Sequence, residues 1–233
     1  SWGVSTRMVG ALIMSHSDDD GLVLPPKLAP KQIVILPIYR SDEERAAVLE
    51  YCDSLKQEIG SQRYHDRRLQ VMIDDRDLRG GEKKWYHVKR GVPLRLEIGP
   101  RDIAENKVFV GRRDQPKSTG MDRQELVANV INMLDEMQQG MFDRALQIRE
   151  DNTHEVNSLD EFKKFFTPKN AKRPEIHGGF AYCHFVDCDE VEQICKDLKV
   201  TIRCIPLEGN EAKGTCIFTG HPSQGRAIFA KSY

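Results

Sequence analysis

Residues 31 to 75 constrain the fold of this chain more than any other stretch. "KQIVILPIYR" (31 to 40) is a short apolar run held between Pro30 and a charged segment, the pattern of a buried strand. In the "SDEERAAVLEYCDSLKQEIG" that follows, Ser41 stands three residues before Glu44 as a capping box. Val48, Cys52, Leu55 and Ile59 recur there at helical spacing, and Gly60 supplies a stop. "LQVMIDD" (69 to 75) reads as a second strand. Strand, helix and strand at this spacing predict a parallel pair with a right-handed crossover, and so an α/β fold with a helix-covered sheet.

Two more strands are predicted at "GVPLRLEIG" (91 to 99) and "KVFVGRRD" (107 to 114), joined through Gly99-Pro100 and a short polar segment. In the first, Leu94, Leu96 and Ile98 alternate with Arg95 and Glu97, so one face is buried and the other offers an arginine beside a glutamate. A long amphipathic helix is expected from about Asp122 to Glu150, with an apolar stripe of Leu126, Val130, Leu134, Met137, Met141, Ala145 and Ile148. The composition then shifts. Ser158 and Glu161 form another capping box, a loop rich in Pro, Lys and Gly follows, and the remainder reads as strand, helix and three strands, a small α+β domain.

At 233 residues the chain exceeds the usual single domain. The divisions read from it are 1–30, 31–150 and 151–233. The formal net charge is −1, but Arg76 to Lys117 hold twelve Lys or Arg against six Asp or Glu, an excess of +6. Such segregation suits a face that meets a polyanion, and the alternative is a solvated surface whose charges pair locally. No apolar run is long enough for a membrane span and the N-terminus lacks signal-peptide order, so the expectation is a cytoplasmic protein. Six cysteines, five of them after residue 180, in a chain of this size point to thiols or a metal site rather than a disulfide framework.

The opening stretch, "SWGVSTRMVGALIMSHSDDDGLVLPPKLAP", places Arg7 among apolar and small residues. Buried and unpaired, that guanidinium would be costly, so it meets either water, a carboxylate or an external anion. A phosphate suits its planar fork, and Gly3, Ser5 and Gly10 would let a ligand approach the backbone.

This opening resembles motif 3 of the class II aminoacyl-tRNA synthetases in the form found in prolyl-tRNA synthetases. "GVPLRLEIGPRD" resembles their anticodon-binding domain, and "TIRCIPL", "GTCIFTGHPS" and "AIFAKSY" resemble the C-terminal domain of the archaeal and eukaryotic-like branch. The three segments occur in the family's order along essentially the whole chain. The resemblance implies an anticodon-binding domain with a mixed sheet flanked by helices. It also implies a small α+β C-terminal domain, preceded by a remnant of the class II catalytic antiparallel sheet. With no initiator methionine, "SWGVSTR" is read as the interior of a larger enzyme that activates L-proline with ATP and Mg2+, transfers it to proline tRNA and works as a homodimer.

Carried over residue by residue, the resemblance sets Arg7 against the ATP phosphates, with Ser5 and Gly3 beside the nucleotide and Trp2 on the floor of the proline pocket. Negative charge that builds during attack on the α-phosphate is what such a fixed cation stabilises. Arg95, Arg101 and Asp102, with Glu97 as neighbour, fall at positions that read the guanines of the anticodon, and Arg112 and Arg113 at phosphate contacts. The family commonly carries "WELKGVP" where this chain has "HVKRGVP", so its acidic residue is replaced around His87 and Val88. Trp85 and Tyr86 then stand as either stacking surfaces or loop packing. Relatives often bind zinc through four cysteines. Cys183, Cys188 and Cys216 match three of these, but Thr219 holds the fourth position, with His221, His184 or Cys204 as possible substitutes. The carboxylate of Tyr233 either reaches towards the catalytic domain or belongs to a frayed tail. The rival readings are a free-standing RNA-binding module with an anticodon-binding fold and a small zinc-stabilised interaction protein.

Overall fold

The computed structural model describes residues 3–170, 172, 178–208 and 213–232. Trp2 and Tyr233 lie outside the described residues. The chain divides into two compact units, Ser1–Ala145 and Leu146–Tyr233.

The first unit is built on the strand–helix–strand core. Strand β1 (Ile33–Pro37) is buried along its whole length and pairs in parallel with β4 (Val71–Ile73) on one side and β5 (Leu94–Ile98) on the other. Between β1 and β4 run helix α2 (Asp42–Gly60) and a small hairpin of β2 (Arg63–Tyr64) and β3 (Arg67–Arg68). Ser41 caps α2 as expected: its Oγ accepts from the Glu44 N–H at 3.2 Å, and Glu44 Oε2 accepts from the Arg40 N–H at 2.8 Å. Helix α3 (Gly80–Lys89) carries the chain from β4 to β5. The short helix α4 (Pro100–Ala104) then leads to β6 (Lys107–Arg112), which forms a hairpin with β7 (Ser118–Asp122). The sheet order is β4-β1-β5-β6-β7, parallel in its first three strands and antiparallel in the rest.

Period-two alternation divides this sheet between two environments. Ile33, Ile35, Leu94, Leu96, Ile98, Val108 and Val110 join one core with α2 and with helix α5 (Arg123–Asp151), through Val48, Cys52, Leu55, Ile59, Leu126, Val130 and Leu134. Val34, Leu36 and Val92 form a smaller cluster on the other face, and α3 packs against β1. The stripe of α5 is buried from Leu126 to Met141, but Ala145 is only half-buried and Ile148 is exposed, so it ends earlier than its periodicity suggests.

Two segments differ from their sequence reading. Arg7–His16 is an α-helix (α1), not part of a sheet: among the described residues no strand lies beside it, and helical hydrogen bonds satisfy its backbone locally. The stretch around Trp85 and Tyr86, for which loop packing was one expectation, forms α3; after Gly81 the helix holds no Gly or Pro, and Lys83 and His87 are buried one turn apart.

In the second unit β8 (Thr153–Glu155) pairs in parallel with β9 (Phe180–His184), and β13 (Arg226–Lys231) runs antiparallel between β9 and β10 (Val200–Cys204). Helices α6 (Leu159–Phe166) and α7 (Asp189–Leu198) supply Phe162, Phe166, Val191 and Cys195 to its core, alongside Phe229 from β13. Ser158 caps α6 as the sequence indicates, its Oγ accepting from the Glu161 N–H at 3.2 Å. A two-residue hairpin of β11 (Gly214–Thr215) and β12 (Pro222–Ser223) completes the unit.

Candidate nucleic-acid interface

The parallel strands of the first unit create a crevice. Strand β1 has parallel partners on both sides, reached by crossovers through α2 and α3, and such a reversal opens the sheet at the strands' C-terminal ends. A hollow of about 340 Å³ lies there, lined by Ile38, Tyr39, Arg40 and Glu44 after β1 and by Arg101 and Asp102 at the start of α4. Arg101 is exposed, whereas Asp102 is half-buried and its Oδ2 accepts from the Gly99 N–H at 2.8 Å. That carboxylate therefore fixes the first turn of α4 and holds Arg101 at the rim.

Arg95 and Glu97 lie on the face of β5 away from the main core, and the strand register extends that face across the hairpin. Arg95 is opposite Gly111 and Gly111 opposite Ser118; Glu97 is opposite Phe109 and Phe109 opposite Gly120. Gly111 is needed here: a Cβ on it would stand 2.8 Å from Ser118 Oγ and 2.9 Å from Arg95 Nη2, so its absence makes the bed in which the Arg95 side chain lies. Arg95 is only 6% exposed, and its Nε and Nη1 are buried without a hydrogen-bond partner among the described residues. Burial and the neighbouring Arg113 guanidinium pull its pKa down, with Glu97 opposing them. Lys84 on α3 reaches Glu97 at 3.4 Å. A buried guanidinium with two donors unused is an arrangement that lacks an acceptor, even with the Lys84-paired Glu97 carboxylate on the same sheet face.

Arg112 and Arg113, expected at phosphates, are engaged within the chain. Arg112 donates from Nε and Nη2 to both carboxylate oxygens of Asp114 at 3.0 and 2.9 Å, and from Nη1 to Glu136 at 2.9 Å. Arg113 is buried, donates to Asp18 Oδ2 at 2.7 Å and to the carbonyls of Val88 and Gly21, and ties residues 18 to 21 to the unit. Strand alternation places Arg113 on its side of the sheet, but its partners come from 25 and 95 residues away, beyond any local pattern.

The replaced acid of "HVKRGVP" has become interior. His87 is 2% exposed with Nε2 2.8 Å from Asp74 Oδ2, and Val88 is buried. Arg76 also donates to Asp74, from Nε and Nη2 at 2.7 Å each, and holds that carboxyl below its ordinary range; His87 contributes less. Tyr86 lies between the guanidinium carbons of Arg76 and Arg90, 4.0 and 3.6 Å from its ring centroid. Trp85 is half exposed, so it is not packed beneath a loop.

Comparison with known proteins places this geometry. Residues 32–133, which contain the crevice and the Arg95 face, match the family described as Anticodon binding domain, and residues 172–233 match Prolyl-tRNA synthetase, C-terminal. By these matches the chain carries an anticodon-binding domain and a prolyl-tRNA synthetase C-terminal domain. It is 59% identical to the proline–tRNA ligase of Rhodopirellula baltica over 233 residues, covering 100% of this chain and 46% of that relative. It is 48% identical to the proline–tRNA ligase of Bdellovibrio bacteriovorus (100% and 46% covered) and 49% identical to proline–tRNA ligase 2 of Anaeromyxobacter dehalogenans (100% and 47%). The chain thus spans about half the length of these curated relatives.

The family's remaining positions fall as follows. Gly3, Ser5 and Arg7 are exposed, Arg7 is the first residue of α1, and its side chain makes no hydrogen bond or ion pair among the described residues. Cys183 and Cys216 are buried in the apolar core of the second unit, and Cys188 is half-buried just before α7. Burial pushes the Cys183 thiol up to about 12. No group of three or more His, Cys, Asp or Glu with metal-binding geometry occurs among the described residues, so Cys183, Cys188 and Cys216 are not gathered into a zinc site there. No described helix is long and apolar enough to cross a membrane.

Proposed function

We propose that this chain reads the anticodon of proline tRNA for a proline–tRNA ligase, and that the Arg95 face and the Arg101 crevice are where it does so. The observation that carries the proposal is the buried Arg95 guanidinium with two donors unused. A guanine offers acceptors at O6 and N7 to such a fork, and a carboxylate such as Glu97 accepts from the hydrogens on its N1 and N2. Anticodon bases are unpaired and can be splayed onto a protein surface. Arg101, exposed at the crevice rim, reads the adjacent guanine, with Asp102 as the residue that positions it.

In the whole enzyme, Arg7 stabilises charge on the ATP phosphates as the proline carboxylate attacks the α-phosphorus and pyrophosphate leaves, with Ser5 and Gly3 against the nucleotide and Trp2 under the proline. The adenylate's prolyl group then passes to the 3′ end of the tRNA. The enzyme works as a cytoplasmic homodimer. What supports this part is the likeness to relatives bearing that name and the unpaired state of Arg7.

The test is binding of the proline tRNA anticodon stem-loop and of single guanine-to-adenine variants to the purified chain. Arg101→Ala is expected to weaken cognate binding and reduce discrimination at one guanine by about 1–3 kcal/mol. Equal affinity of the unaltered chain for cognate and variant stem-loops would defeat the proposal.

A further inference from the structure

We propose that Phe109 is a stacking floor for one unpaired nucleobase, next to the base held by Arg95. This rests on the anticodon reading of the same sheet face and adds to it a residue that the motif resemblance does not supply. Phe109 sits on β6 with Val108 and Val110 on either side, both buried in the main core, so its ring must project from the opposite face. There it remains 39% exposed, a large apolar side chain with no polar atom of its own.

Its surroundings fit a flat, partly polar ligand. On one side its cross-strand partner is Glu97, an acceptor for exocyclic amino groups. On the other it is Gly120, where an added Cβ would meet nothing within 4 Å, so the surface beside the ring is open and level. The row containing Arg95, Gly111 and Ser118 lies two residues along the strands, about 7 Å away, which leaves room for two bases side by side. Lys84, which meets Glu97 on this face at 3.4 Å, and the exposed Lys117, next to Ser118 in the chain, suit the phosphates that connect such bases.

The experiment uses the full 233-residue chain and the proline tRNA anticodon stem-loop carrying 2-aminopurine at one loop position at a time. With the unaltered chain, fluorescence at one position should be quenched on binding. Phe109→Ala should remove that quench and weaken binding about 5- to 100-fold with an unchanged salt slope, because stacking releases no counterions. Phe109→Trp should keep the quench, and Phe109→Leu, which is apolar but not flat, should lose it. Phe109 is exposed, so circular dichroism and the melting curve of these variants should match those of the unaltered chain. If the unaltered chain discriminates anticodons but Phe109→Ala binds and quenches like it, the stacking floor is wrong and the anticodon reading stands. Failure of the unaltered chain to discriminate would overturn both.

Discussion

Arg95 combines a stability cost with a binding function. Each unsatisfied buried polar group costs on the order of 1–3 kcal/mol, and the free chain holds two such atoms on one side chain. Arg95→Met, of similar length and without donors, should therefore raise the unfolding free energy by about 1–3 kcal/mol in urea titrations while weakening binding of the anticodon stem-loop. Unchanged or lower stability would mean that the guanidinium is already satisfied. His87 sets a pH dependence. Burial is the main cause that lowers its pKa below 6.5, outweighing Asp74, whose carboxylate is already paired with Arg76. The unfolded chain takes up a proton near pH 6.5 where the folded chain does not, so stability falls as pH drops below 6.5, by at most about 1.4 kcal/mol per unit. The contribution of Asp74, whose pKa is depressed, is fully present above about pH 5 and is lost progressively as pH falls below about 4. His87→Gln, which retains a donor to Asp74, should flatten the slope between about pH 5 and 6.5 in urea titrations, leaving the smaller share of His16, also lowered by burial. An unaltered slope would show that His87 titrates normally.

At the scale of elements, α1 and α2 contrast. Helix α2 has a side-chain cap and buries Val48, Cys52, Leu55 and Ile59, whereas α1 has no side-chain cap and buries no residue. A ten-residue helix without tertiary packing is marginal in water. Amide exchange should therefore be fast across residues 8–16 and slower by orders of magnitude in the middle of α2. Comparable protection in both would show that α1 is packed in solution. Both capping boxes and the alternation in β5 were legible because each depends on residues within one or two turns of one another, and the parallel pair because a strand, helix and strand in that order leave few ways to connect. Helix α3 was not, since its face is polar: Lys83 and His87 are buried through contacts with Tyr39 and Asp74 that no hydrophobic period announces.

Across the whole molecule, the residues proposed to meet ATP lie on open surface. Gly3, Ser5 and Arg7 are exposed, and no carboxylate cluster suited to a metal faces them among the described residues. The 233-residue chain alone should show no proline-dependent ATP–pyrophosphate exchange, and a rate above background would overturn that expectation. Local pattern in the sequence was enough for the parallel core, the helix caps and the split of β5 into an apolar and a charged face, and the motif resemblance for the anticodon-binding and C-terminal domains. The tertiary structure alone decided which arginines remain for a ligand. Alternation says which face a side chain takes, but what covers that face depends on the register of β5, β6 and β7 and on segments far away in the chain. By that register Arg95 lies over Gly111 with donors unused, while Asp18, 95 residues distant, engages Arg113.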